Sequence, residues 1–123
     1  MALYYTLPLY RDTYRLILLI YGAVREFPRE YKYSLGQELR RDSMQLVRHI
    51  YRANSGSGSA RREALERFGD DFELVRLELR LSFDLKLIGL KPFGQITALM
   101  ESIGKQASGW RRTASPAERN GAG

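Results

Sequence analysis

The sequence predicts an all-α protein, folded as an antiparallel up-down four-helix bundle. Four segments carry apolar residues at helical spacing, and short connections containing glycine or proline separate them. The most alternating segment, residues 72–88, is too long and too rich in leucine for a β-strand. We therefore expect one bundle over residues 1–112 and a disordered tail over residues 113–123, whose composition is small and polar.

The first helix is predicted from about Leu9 to Arg25. Pro8 suits its first turn, where the missing N–H costs nothing, and Pro28 disfavours helical geometry in the residue before it. The residues expected to face the core are Tyr10, Tyr14, Ile17, Tyr21 and Val24.

The second helix is predicted from about Tyr31 to Ala53. Its apolar side contains Leu35, Leu39, Leu46, Val47 and Ile50, and its other side contains Arg41, Gln45, Arg48 and Arg52. Gly36 interrupts this pattern, as Gly104 interrupts that of the last helix. Each is interpreted either as a tolerated surface glycine or as a site where two helices approach closely.

The third helix is predicted from about Ala60 to Ile88, after a flexible Ser-Gly linker over residues 54–59. It carries two apolar lines on opposite sides. One line contains Phe68, Phe72, Val75, Leu79 and Phe83, and the other contains Leu74, Leu77, Leu81, Leu85 and Ile88. A helix at the edge of a bundle needs only one such line. The second line therefore predicts contact with a neighbouring helix or with a second subunit, and we interpret it as an oligomer interface.

The fourth helix is predicted from about Phe93 to Arg112, after a turn over residues 89–92. The residues expected to face the core are Ile96, Leu99, Met100, Ile103, Ala107 and Trp110.

The charge of +6 at pH 7 favours an anionic partner, of which nucleic acid is the commonest. Residues 55–91 contain seven basic and seven acidic groups, so the excess lies on the segments flanking the third helix. The residues predicted to contact nucleic acid are Arg41, Arg48, Arg52, Arg76 and Arg80. The alternatives are an ordinary solvated face for the first three, and pairing with Glu73 and Asp84 for the last two.

Catalysis is not expected, and neither a metal nor a cofactor is predicted. The chain has no cysteine, and its one histidine, His49, lacks a nucleophile within a helical turn and is expected to be solvated. Asp70 and Asp71 point about 100° apart on a helix, which does not suit a shared metal ion. No signal peptide or membrane-spanning run is recognised, so a cytoplasmic location is expected.

Three segments resemble a known family in the same order along the chain. They are FPREYKYSLGQELRRDSMQLVRHIYRAN at 27–54, LRLSFDLKLIGLK at 79–91 and ESIGKQASGWRR at 101–112. They are similar to the accessory variability determinant (Avd) proteins of diversity-generating retroelements, which are related to four-helix-bundle proteins encoded in ribosomal-RNA intervening sequences. The resemblance covers about residues 8–112.

The resemblance implies a non-enzymatic partner of the retroelement's reverse transcriptase. Avd-like proteins form a barrel-like, ring-shaped homopentamer with a basic surface. They bind the reverse transcriptase and the template RNA, with an RNA/DNA hybrid as a further candidate ligand, and support mutagenic cDNA synthesis. Two alternatives remain: an intervening-sequence-type protein without a reverse transcriptase partner, and a helical scaffold without a nucleic-acid role.

Overall fold

A computed structural model of the chain describes residues 3–122, with side chains described as far as Ala114. This part of the chain is helical and contains no β-strand, and its long helices form the predicted four-helix bundle. The long helices are α1 (Pro8–Arg25), α3 (Leu35–Ser55), α4 (Gly58–Asp84) and α5 (Leu90–Ala122). A 3-10 turn, Tyr4–Thr6, precedes α1, and a short helix, α2 (Arg29–Lys32), lies between α1 and α3.

The four long helices surround one core in chain order. Helices α3 and α5 each pack against both α1 and α4, whereas α1 and α4 occupy opposite corners of the bundle. Because successive long helices run antiparallel, α1 and α4 are parallel to each other. The largest fully buried side chains in the core are Phe68, Leu16, Ile20, Leu39, Leu46, Ile50, Leu79, Ile96, Met100 and Ile103.

The prediction of which side of α1 faces the core was only partly right: Ile17 and Val24 are buried, but the two predicted tyrosines nearest them are not. Tyr14 and Tyr21 are 49% and 43% exposed. The buried side of α1 consists of Leu9, Thr13, Leu16, Ile17, Ile20 and Val24. This stripe is rotated from the predicted one because the uninterrupted apolar run 16–20 fits more than one helical phase. Tyr14 and Tyr21 therefore lie on the outer surface of the bundle.

The connection between α3 and α4 is shorter than the predicted linker. Helix α3 continues through Ser55 and α4 begins at Gly58, so only residues 56–57 lie outside a helix. The Arg61 side chain donates a hydrogen bond from Nε to the Ala53 carbonyl oxygen at 2.9 Å, which ties the two helix ends together. A link this short holds α3 and α4 as an antiparallel pair.

Helix α4 ends earlier than predicted, at Asp84, through a left-handed residue that is not glycine. Lys86 has φ 65°, and its N–H donates to the Phe83 carbonyl at 2.9 Å while the Leu87 N–H donates to the Ser82 carbonyl at 2.8 Å. These two bonds form a Schellman cap. The cap turns the chain so that Ile88 is buried in the core instead of extending the outer line of α4.

Helix α5 continues beyond the predicted end at Arg112. Its backbone is helical from Leu90 to Ala122, and the Thr113 hydroxyl donates a hydrogen bond to the Trp110 carbonyl at 2.8 Å. The side chains after Ala114 lie outside the described part, and the disorder of the tail over residues 113–123 stays a prediction. Among the described residues, no helix is long and apolar enough to cross a membrane.

The two mid-helix glycines differ in their surroundings, which leads to a matched prediction. A Cβ at Gly36 would lie 2.7 Å from Cγ1 of Val24, a fully buried residue of α1, whereas a Cβ at Gly104 would lie 3.5 Å from the Phe72 ring. We expect Gly36→Ala to lower the free energy of unfolding by about 1–3 kcal/mol, because a rigid core side chain must move. Gly104→Ala should instead raise it by up to about 1 kcal/mol through helix propensity.

Urea unfolding followed by circular dichroism measures both variants. Equal effects of the two substitutions would contradict the close approach of α1 and α3 at Gly36.

Candidate functional site

The three predicted arginines of α3 lie on one outer face of the bundle. Arg41, Arg48 and Arg52 are spaced seven and four residues apart, which places them along one side of the helix over about 16 Å. All three are exposed. The buried side of α3, which contains Leu39, Leu46 and Ile50, points the other way. We call the three arginines the α3 basic face.

Two of these arginines are not neutralised within the part of the chain that the structure describes. Arg41 lies 3.4 Å from the Asp42 carboxylate, measured from Nε to Oδ1, and its side chain remains 63% exposed. Arg48 and Arg52 form no ion pair with any described residue. Unpaired guanidinium groups in this spacing can contact successive phosphates, which gives affinity that depends strongly on salt.

The two predicted arginines of α4 have different surroundings. Arg76 donates from Nε to Oε2 of Glu73 at 3.1 Å, and its guanidinium lies 5.2 Å from the centre of the Phe72 ring. Arg80 donates from Nε to both carboxylate oxygens of Asp84 at 3.1 Å. Both arginines are thus held by acidic residues of their own helix, as the alternative interpretation of the sequence stated.

The structure does not bring the five predicted arginines together. On α4, Arg76 lies toward α5, because it lines the groove between these two helices. The side of α4 that faces α3 is occupied by Asp71 and Glu78 instead. The leucines of the second apolar line lie between the arginines of α4 and the α3 basic face. The predicted site is therefore two separate groups, of which only the α3 basic face has unpaired charge.

The second apolar line of α4 is exposed on the protomer surface. Leu74, Leu77, Leu81 and Leu85 are 41%, 63%, 45% and 40% exposed. We call these four leucines the α4 stripe. Ile88, the fifth residue of the predicted interface, does not belong to it, because it follows the end of α4 and is buried in the core. A row of four leucines facing solvent over about three turns is a candidate interaction surface.

Several polar side chains are buried between α3 and α4. His49 is buried, contrary to the prediction, and its Nε2 lies 2.6 Å from Oδ2 of Asp71. Glu78 is buried at the level of Asp42. Burial, together with the neighbouring carboxylates of Asp42 and Glu38, raises the pKa of Glu78 to about 8. These groups were missed because each partner lies on another helix, which no spacing along the chain reveals.

A groove of about 1350 Å³ lies between α4 and α5. Its charged lining contains both signs: Arg62, Arg76, Lys105, Arg111 and Arg112 alternate with Glu66, Asp70, Glu73 and Glu101. A nearly balanced lining does not favour a polyanion. Over the described residues, no group of three or more histidines or acidic residues is placed to hold a metal ion.

Comparison with known proteins adds a family assignment. The family model described as bAvd-like matches residues 9–114, which is most of the chain and covers α3 and α4 completely and most of α1 and α5. No curated protein and no solved structure matches the chain. The three segments that suggested the Avd proteins all lie within the matched range, so the resemblance noted from the sequence is confirmed. The chain belongs to the bAvd-like family.

Proposed function

We propose that this protein is a non-enzymatic accessory protein of a diversity-generating retroelement. It binds the reverse transcriptase and the template RNA, or an RNA/DNA hybrid, and supports mutagenic cDNA synthesis in the cytoplasm. Membership in the bAvd-like family supports the accessory role. The observation that carries the RNA part is the α3 basic face, where Arg48 and Arg52 are exposed without an ion pair among the described residues.

The proposed binding is electrostatic and follows the phosphate backbone. The α3 basic face presents exposed guanidinium groups at helical spacing, a pattern that suits phosphate contacts rather than base readout. Affinity without sequence preference and with a steep dependence on salt is the expected behaviour of such a surface. The reverse transcriptase would then supply the choice of template.

The proposal also includes self-association into a ring-like homopentamer. The α4 stripe supports self-association, because its four leucines lie exposed along one side of a single helix. An assembly places several copies of the α3 basic face on one particle, which raises avidity for a long RNA without any new contact.

Replacing Arg41, Arg48 and Arg52 together with glutamine should weaken binding to single-stranded RNA by at least about tenfold at low salt. Loss of three phosphate contacts should also reduce the slope of log K against log salt by about 2. Fluorescence anisotropy with a labelled RNA over a salt series measures both quantities.

The matched control replaces Arg76 and Arg80 with glutamine. Because these two arginines are already paired with Glu73 and Asp84, the control should change RNA affinity by less than about threefold. If the control weakened binding as much as the triple variant does, the α3 basic face would lose its special role.

The reverse transcriptase partner needs a separate experiment. Co-purification with a reverse transcriptase encoded in the same locus, together with paired template and variable repeats there, would support the retroelement role. RNA binding without such a polymerase would favour the intervening-sequence type of protein. Absence of both kinds of binding would leave a helical scaffold.

A further inference from the structure

A second exposed apolar row lies on α1. Tyr14, Leu18 and Tyr21 are 49%, 56% and 43% exposed, and their spacings of four and three place them on one side of the helix. Tyr21 borders α3, since the Arg40 guanidinium lies 6.0 Å from the centre of its ring. We call these three residues the α1 stripe. It covers two turns, and it lies on a different corner of the bundle from the α4 stripe.

The contacts of α3 show which residues of α1 and α3 lie at the same height along the bundle. Tyr21 lies beside Arg40, and Val24 lies against Gly36. Residue numbers in α3 therefore decrease along the bundle as those in α1 increase, and Tyr21 lies at the height of residue 40.

Contacts between α3 and α4 relate the heights of these two helices in the same way. Asp42 lies at the height of Glu78, and His49 lies at the height of Asp71. Residue 40 of α3 is then level with residue 80 of α4. Because Tyr21 of α1 is level with residue 40, it is also level, within one residue, with Leu81 of α4. Since α1 and α4 are parallel, going back one turn on each helix places Leu18 level with Leu77, and a second turn places Tyr14 level with Leu74.

The contacts of α5 relate the heights of α1 and α4 independently of α3. Gln106 donates from Nε2 to Oδ2 of Asp12 on α1 at 2.7 Å. Gly104 lies against the Phe72 ring of α4, so Gln106 is level with Asp70. Asp12 is therefore level with residue 70 or 71, which agrees with the offset found through α3. The α1 stripe and the α4 stripe occupy the same height on parallel helices at opposite corners.

This arrangement fits a closed ring of identical subunits. A rotation about an axis parallel to the helices moves one copy to the next position without changing its height. It can therefore bring the α1 stripe of one copy against the α4 stripe of the next in register, with the two helices parallel. A two-fold dimer made by the α4 stripe alone would leave the α1 stripe facing solvent.

The charges at one end of the two stripes are complementary. Arg11 and Arg15 flank the start of the α1 stripe, are exposed and form no ion pair with any described residue. Asp70 lies one turn before Leu74 at the same height as Arg11, and it is likewise exposed and unpaired within the described range. The register that aligns the stripes therefore also places opposite charges beside each other.

We propose that the α4 stripe of one subunit packs against the α1 stripe of a second copy of this chain, in parallel and in the register that pairs Leu77 with Leu18. This inference rests on the self-association in the proposed function and names the surface of the second copy that completes the contact. The contact is heterologous, since each subunit uses one stripe for each neighbour.

Disulfide trapping tests the contact, because the chain contains no cysteine. Leu18→Cys and Leu77→Cys are prepared as separate proteins and mixed under mild oxidation at equal concentration. The mixture should form a covalent dimer, and neither variant alone should do so. The double variant, with both cysteines in one chain, should form a ladder of covalent oligomers that ends at the number of subunits in the ring.

The control tests the register. Leu85→Cys lies about 12 Å along α4 from position 77, well beyond the Cα separation that a disulfide can bridge, so its mixture with Leu18→Cys should cross-link far less. Cross-linking of Leu77→Cys with itself would overturn the inference in favour of a symmetric α4–α4 contact. Light scattering on the unmodified protein separates the failure of self-association from the failure of this contact. A monomer would refute both, whereas an oligomer without the Leu18–Leu77 cross-link would refute only the contact between the α1 and α4 stripes.

Discussion

The free energy of unfolding is expected to fall by about 3 kcal/mol as the pH rises from about 5 to about 8, because of the single side chain Glu78. Glu78 is 5% exposed between α3 and α4. Burial raises its pKa first, followed by the hydrogen bond with Asp42 and the charges of Asp42 and Glu38, while the Arg41 charge lowers it. The net result is a pKa of about 8 in the folded protein, against 4.5 for an ordinary glutamate.

The sign of the effect follows from proton binding. Between the two pKa values the folded protein keeps a proton on Glu78 that the unfolded chain releases, so the unfolded state binds fewer protons. The stabilising contribution is complete below the unfolded pKa and is lost as the pH rises through the folded one. The slope is at most about 1.4 kcal/mol per pH unit.

Glu78→Gln should remove most of this pH dependence. Glutamine keeps the shape of the neutral side chain, and its amide can donate a hydrogen bond to the Asp42 carboxylate at every pH. The variant should resemble the parent protein near pH 5 and exceed it in stability near pH 8. Urea unfolding by circular dichroism at several pH values measures the difference between the two proteins, in which the other titrating groups cancel.

Glu73→Gln is the matched control for this experiment. Glu73 lies on the same helix, is 66% exposed and pairs with Arg76, so its removal should leave the pH profile of the parent almost unchanged. A Glu78→Gln variant whose stability falls with pH as steeply as that of the parent protein would show that Glu78 is charged in the folded state.

The bundle itself could be predicted because its signals are local. Pro8 and Pro28 limit α1, and the two apolar lines of residues 68–88 follow directly from helical spacing. The same spacing predicted a second apolar line that needs a neighbouring helix or a second subunit, and its four leucines on α4 are exposed on the protomer. The side of α1 that faces the core was predicted only in part, because the run 16–20 presents an apolar residue at every angle.

The polar side chains buried between α3 and α4 could not be predicted, for a different reason. His49 was expected to be solvated, yet it is buried together with Glu78 and Ser82 of α4. A polar residue at the edge of an apolar line is compatible with either environment. Its partner on α3 or α4 decides between them, and that pairing depends on how the short α3–α4 connection sets the helix register.

Leu77→Glu is expected to dissociate the assembly and to leave the protomer folded. Leu77 is 63% exposed in the protomer, the largest value in the α4 stripe, so a carboxylate there meets water in the free subunit. In the proposed interface it would be buried without a partner, at a cost of several kcal/mol per contact. Light scattering should therefore show the protomer mass at micromolar concentration, with an unchanged far-ultraviolet circular dichroism spectrum.

Leu90→Glu separates the effect of the stripe from that of any exposed leucine. Leu90 is 75% exposed at the first residue of α5, where a carboxylate suits the helix dipole, and it lies outside both stripes. This variant should keep the mass of the parent assembly. If Leu77→Glu also kept that mass, the α4 stripe would not be a subunit contact. If both variants became monomeric, the assembly would depend on overall charge or on the α4–α5 turn. An interface that covers the α4 stripe requires that Leu77→Glu dissociates the assembly and that Leu90→Glu does not.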